Sequence, residues 1–161
     1  LAAKRDQFLP VAWGTPGHKA NLLLFPWAGA GGLSWRFLEE HLRASFAVWP
    51  VVLPQREVRG PYPPAASLPQ IAAAIAAEIE EKIPATQGLL FLGHSMGAAL
   101  AYETAHCLAP QRATSLEALF ASSCRAPQWR LARPVSPRPS LDGLGPLEAD
   151  LALFDSYRPS T

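Results

Sequence analysis

Gly88-Leu89-Leu90-Phe91-Leu92-Gly93-His94-Ser95-Met96-Gly97-Ala98-Ala99 is the stretch on which the reading of this chain turns. An apolar run leads into a glycine-flanked turn, and small helix formers follow (Ala98, Ala99, Leu100, Ala101). The turn, Gly93 to Gly97, has the form G-x-S-x-G, and between a strand and a helix that pattern is a nucleophile elbow. Such a turn strains the backbone of its central residue, Ser95, and holds the hydroxyl clear of the sheet. Glycine at the flanking positions omits the β-carbons that would collide where strand and helix converge. The hydroxyl then stands beside a helix N-terminus, whose unpaired N–H groups and positive dipole end favour a developing oxyanion. The alternative is a tight β–α turn with an incidental serine, and the apolar run before it and the helix former run after it weigh against that.

Upstream, Ala20-Asn21-Leu22-Leu23-Leu24-Phe25 reads as a buried parallel strand. It ends in Pro26-Trp27-Ala28-Gly29-Ala30-Gly31-Gly32, which is either a flexible connector or the second half of an oxyanion hole. Ser34 is expected to cap a helix running to about Leu42. Phe46 to Leu53 reads as the next strand, with Pro50 marking a bend or bulge. Ser67, Pro69 and Gln70 form a helix start, and Ile71, Ile75, Ile79 and Ile83 make one apolar stripe that Pro84 ends. Beyond the elbow helix, which runs to about Leu108, Leu116 to Ser122 is a further strand. Residues 1–18 read as irregular. Strands alternating with helices imply a mostly parallel sheet with helices on both faces, and ligands bind beyond the carboxyl ends of such strands. Both the 26–32 loop and Ser95 fall there. From Arg125 the chain turns basic and proline-rich, and Leu147, Leu151 and Phe154 then mark a short amphipathic helix ending near Tyr157.

A length of 161 residues suits one domain, 1–161, and a formal net charge of +1 gives no field for nucleic acid. No apolar run approaches the roughly 18 residues of a membrane span, and neither end resembles a signal peptide. Cys107 and Cys124 read as free buried thiols, which suits a reducing, cytoplasmic setting. No metal site and no cofactor is expected, and the chain is expected to be monomeric.

Several segments, in order, resemble the type II thioesterases that accompany polyketide and non-ribosomal peptide synthetases. Leu24-Phe25-Pro26-Trp27-Ala28-Gly29-Ala30-Gly31 resembles that family's Phe-Pro-aromatic-Ala-Gly-Gly loop. Leu53 to Arg59 resembles Leu-Pro-Gly-Arg-Glu-x-Arg, with Gln55 in place of Gly. Gly93 to Ala98 matches the elbow, and Ala101-Tyr102-Glu103 resembles the Ala-Phe-Glu that follows. Ser122 to Pro127 resembles Ser-Gly-x-x-Ala-Pro, and Leu147-Glu148-Ala149-Asp150 through Tyr157-Arg158-Pro159 resembles the segment after the lid. The resemblance implies an α/β-hydrolase fold and hydrolysis of acyl thioesters from the phosphopantetheine arm of acyl or peptidyl carrier proteins. It implies Ser95 as nucleophile, with the Met96 N–H and an N–H of the 26–30 loop, Ala28 before Trp27, as oxyanion donors.

Two departures stand out. The order in this fold is Ser, then Asp or Glu, then His, and nothing after Tyr157 supplies the last two. His18, His41, His94 and His106 do not fit the base, and Asp142, Asp150 and Asp155 read as surface or structural groups. A fragment of an active enzyme is therefore expected, incomplete at its C-terminal side. The lid is also short: residues 125–146 read as a reduced lid or linker whose Arg125, Arg130, Arg133 and Arg138 either steer an acidic carrier protein or are simply solvated. A small-ester esterase or lipase of the same fold, and an inactive hydrolase-fold module that binds carrier proteins, are the competing readings.

Overall fold

The computed structural model describes residues 8–13, 20–54, 56, 67–126 and 145–159. Four parallel strands, β1 (Ala20–Phe25), β2 (Ala47–Pro50), β3 (Gly88–His94) and β4 (Leu116–Ser122), form one sheet in the order β2-β1-β3-β4. The helices are α1 (Arg36–Leu42), α2 (Leu68–Lys82), α3 (Met96–Cys107), the short α4 (Pro110–Ala113) and α5 (Pro146–Ser156).

Both faces of the two central strands are covered, which is why β1 and β3 are apolar without alternation. Leu23 and Phe25 of β1, with Leu89 and Phe91 of β3, point into the larger core. There α2 lays down Ile71, Ile75 and Ile79, α3 adds Leu100, and Phe154 and Tyr157 join from α5 and its end. Each such fully buried side chain is worth about 1.5–3 kcal/mol of transfer free energy. Leu22 and Leu24 face the other way, into a smaller cluster with Trp35 and Val48 that Leu38 and Leu42 of α1 cover. The α/β-hydrolase arrangement expected from the sequence is thus present in the described residues.

The start of α2 follows its sequence signals. The Ser67 side chain accepts from the Gln70 N–H, the Gln70 side chain accepts from the Ser67 N–H at 2.8 Å, and Pro69 sits in the first turn. Other expectations need correction. Ser34 does not cap α1. It lies inside a 3-10 turn, Gly32–Trp35, and its hydroxyl accepts from the Gly31 N–H at 3.3 Å, so Trp35 stands at the helix start. Pro50 terminates β2 rather than bending it; residues 51–53 are not strand, although the Val51 N–H still reaches Leu24 O at 2.9 Å. The N-terminal region is not wholly irregular, since Trp13 makes an antiparallel bridge with Val48 and Leu9 is fully buried. Neither cysteine is buried as expected: Cys107 is exposed and Cys124 is half-buried. Within the segment read as a lid, 127–144 lie outside the described residues, as do Arg130, Arg133 and Arg138; Arg125 is exposed.

Candidate active site

The register of the sheet brings three strand ends to one level. Phe25 of β1 pairs with Gly93, and Ser122 of β4 pairs with His94. Ser95 comes next and heads α3. Its backbone sits at φ +54, ψ −119, a left-handed conformation costly for any residue with a β-carbon. Two hydrogen bonds hold it there: its N–H donates to Ser122 O at 2.8 Å, and its carbonyl accepts from the Ala98 N–H at 3.1 Å. The Ser95 side chain makes no capping bond, is half-buried, and has no hydrogen-bond partner among the described residues.

The flanking glycines are required by contact. A β-carbon on Gly93 would lie 2.5 Å from the Ala98 Cα, and one on Gly97 would press on Phe25 O and lie 2.5 Å from Pro26 O. The backbone leaving β1 therefore runs directly against the elbow. The loop that follows carries Trp27, whose ring meets His94 edge-on at 5.7 Å and Trp35 at 5.5 Å.

The N–H groups of that loop divide into two sets. Gly29 donates to Asp150 Oδ2 (2.9 Å), Ala30 to Trp27 O (3.0 Å) and Gly31 to the Ser34 hydroxyl (3.3 Å). Trp27 and Ala28 donate to no acceptor among the described residues. Neither does Met96, the first residue of α3, as expected of a helix N-terminus. The site thus gathers an unengaged hydroxyl, the N-terminus of α3 and two unengaged loop amides at the carboxyl ends of β1 and β3.

Asp150 is the residue that sequence reasoning half missed. It was expected to be a surface or structural group; it is structural and fully buried. It pairs with Arg56, itself 5% exposed, and Arg56 also donates to Ala30 O (3.0 Å), Pro54 O (3.0 Å) and Pro146 O (3.3 Å). The available signal was the two motif segments, Leu53 to Arg59 and Leu147 to Asp150, but nothing in the sequence links them.

No described histidine is hydrogen-bonded to Ser95. His94 Nδ1 lies 3.1 Å from the Ser122 hydroxyl; His106 is exposed, with Nδ1 3.0 Å from Tyr102 O; His41 is exposed on α1. His18 and Asp142 lie outside the described residues. Glu103 is buried and accepts from the Tyr157 hydroxyl at 2.6 Å. Cys107 is a poor rival nucleophile, because desolvation of its sulfur and then the charge of Glu103 push its thiol above the ordinary range. An apolar hollow of about 250 Å³ lies between the first turns of α3, the end of β4 and Tyr157. Among the described residues no group of three or more His, Cys, Asp or Glu is placed to hold a metal, and no helix is long and apolar enough to cross a membrane.

The thioesterase domain family matches residues 20–159. The gramicidin S biosynthesis protein GrsT of Aneurinibacillus migulanus is 34% identical over 110 residues, 68% of this chain and 42% of its own length. The thioesterase PikA5 of Streptomyces venezuelae is 31% identical over 112 residues, 70% of this chain and 40% of its own. The chain thus spans about two fifths of the length of these curated relatives. Among solved structures, RedJ, a thioesterase from the prodiginine biosynthetic pathway in Streptomyces coelicolor, superposes with a TM-score of 0.71 at 29% identity, covering 90% of this chain and 66% of that one. YbtT, a type II thioesterase from the yersiniabactin pathway, gives 0.71 at 27%, covering 92% and 70%.

Proposed function

The chain belongs to the thioesterase family, and from that premise we propose that it supplies the nucleophile and the oxyanion donors of an enzyme that hydrolyses acyl thioesters on the phosphopantetheine arm of acyl or peptidyl carrier proteins. The substrate class is the one that the resemblance to type II thioesterases implies, and it is supported by GrsT, a gramicidin S biosynthesis protein, and by RedJ and YbtT, thioesterases of the prodiginine and yersiniabactin pathways. The observation that carries the reading is Ser95, strained at φ +54 with its hydroxyl unengaged, at the head of α3.

In this reading the Ser95 oxygen attacks the thioester carbonyl carbon. The C–S bond breaks, the thiol leaves with a proton, and an acyl-serine remains. Water then attacks the same carbonyl, releasing the acid and restoring the hydroxyl. In both steps the carbonyl oxygen becomes negative, and the Met96 and Ala28 N–H groups stabilise it. Each such donor is worth about 2.7–4 kcal/mol. The proton of Ser95 passes to a general base, a role that none of the described histidines is placed to fill.

The test is hydrolysis of acyl-pantetheine thioesters, acyl carrier protein and nitrophenyl esters by the natural protein and its Ser95→Ala variant. Thioester turnover that falls by three or more orders of magnitude in Ser95→Ala is expected, on the order of what loss of a nucleophile costs. Cleavage of nitrophenyl esters alone would make the protein an esterase of the same fold. Carrier-protein binding without hydrolysis would make it a non-catalytic module.

A further inference from the structure

We infer that Asp150 and Arg56 are positioning residues that aim the Ala28 N–H at the oxyanion, an inference that rests on the reading of Ser95 and Ala28 just given. The peptide unit is planar and trans, so the Ala28 N–H and the Trp27 carbonyl share one plane and point in opposite directions. The Trp27 carbonyl is taken by the Ala30 N–H at 3.0 Å. The direction of the Ala28 N–H is therefore set by where Ala30 sits. Ala30 is held in turn through its own carbonyl, which accepts from Arg56 Nε at 3.0 Å. The intervening peptide is fixed by the Gly29 N–H, which donates to Asp150 Oδ2 at 2.9 Å. Consecutive planes from Trp27 to Ala30 thus end on one buried ion pair.

The pair itself is over-determined. Besides each other, Asp150 and Arg56 hold Gly29 N–H, Ala30 O, Pro54 O and Pro146 O, and neither is more than 5% exposed. A buried ion pair rarely stabilises a fold more than apolar side chains of the same size would. Its return here is geometry: it spans from the 26–30 loop to α5, 121 residues further along the chain at the Gly29–Asp150 bond. Helix α5 also sits directly on the loop. Gly29 lies at φ +82, and a β-carbon there would come within 3.1 Å of the Leu147 Cβ. A loop amide whose neighbours are pinned in this way is preorganised and does not reorient as charge develops.

The experiment measures kcat and KM of the natural protein on an acyl-pantetheine thioester, with Asp150→Ala, Asp150→Asn, Arg56→Lys, Tyr157→Phe and Ser95→Ala in parallel. Asp150→Ala is expected to lower kcat about 30- to 100-fold with KM within about threefold, because a misdirected donor costs transition-state and not ground-state binding. Asp150→Asn keeps an acceptor for the Gly29 N–H and is expected to recover to within about tenfold of the unmodified enzyme. Tyr157→Phe loosens the end of α5 without touching the loop, so it should lower the melting temperature and leave kcat in place. If Asp150→Ala does not fold, Arg56→Lys carries the test: it keeps the charge, loses the Nε bond to Ala30, and should lose about tenfold in kcat alone. A kcat within threefold in Asp150→Ala and Arg56→Lys, no rescue by Asn over Ala, or an equal fall in Tyr157→Phe would overturn the inference. Full turnover by Ser95→Ala would instead overturn the reading of the site, whatever the other variants do.

Discussion

Ser95 keeps a left-handed backbone at φ +54 that costs a residue with a β-carbon about 1–3 kcal/mol. The cost is met by its neighbours: bonds to Ser122 and Ala98 fix its peptide groups, and two glycines let α3 and the β1 exit close on it. The glycine requirement can be measured. Gly97→Ala places a methyl against Phe25 O and 2.5 Å from Pro26 O, both backbone atoms that cannot swing aside. It is expected to cost about 2–3 kcal/mol in urea unfolding. Gly145→Ala is the comparison for strain without contact, since φ is +50 and ψ −111 there and nothing lies within 4 Å of the added carbon; it should cost about 1–3 kcal/mol, as the same backbone does at Ser95. A loss below about 0.5 kcal/mol in Gly97→Ala, the size of an ordinary surface substitution, would show that the elbow is not tightly packed. Ser123, at φ +51, is a second left-handed residue with a side chain, at the position where the resembling motif has glycine.

Among the elements, α5 and its end tie the 26–30 loop to α3. Phe154 and the following Tyr157 bury their rings, stacked at 6.4 Å, and the Tyr157 hydroxyl donates to buried Glu103 of α3 at 2.6 Å. Removing that hydroxyl leaves Glu103 one donor short in a dry setting, so Tyr157→Phe should lose about 1.5–3 kcal/mol, read from thermal or urea unfolding. A loss below about 0.5 kcal/mol would mean water replaces the hydroxyl. The elements themselves were largely legible. The capping box of α2, the isoleucine stripe and the extents of β1 and β4 come from local signals that agree with the final packing, whereas of the expected α5 stripe only Phe154 reaches the core and Leu147 and Leu151 stay half-buried. What failed was non-local. Ser34 looks like an N-cap by residue type, yet the chain first makes a 3-10 turn, and its hydroxyl serves Gly31. Asp150, read as surface or structural, is structural; its full burial could not be read, because a carboxylate is almost never fully buried unless paired and its partner Arg56 is 94 residues away.

At the scale of the whole molecule, the parallel sheet sends the β1 and β3 exits to the same edge, and every group assigned to the chemistry comes from those exits and the first turn of α3. The smaller core under α1 supports the loop from one face through Trp35 and Trp27, and α5 supports it from the other through Asp150. The proposed nucleophile and donors could be named from the sequence because they sit in one contiguous motif and one loop. The support for that loop was not legible, because it depends on how two remote segments meet. Acyl transfer to Ser95 is the step on which the proposed function rests. Mixing the natural protein with an acyl-pantetheine thioester, quenching in acid within the first turnover and mapping the peptides by mass spectrometry tests it directly. The acyl mass is expected on the peptide containing residues 93–97, at Ser95, and is expected to be absent from Ser95→Ala. Turnover with the acyl group on any other residue, or with no acyl-protein formed, would contradict it.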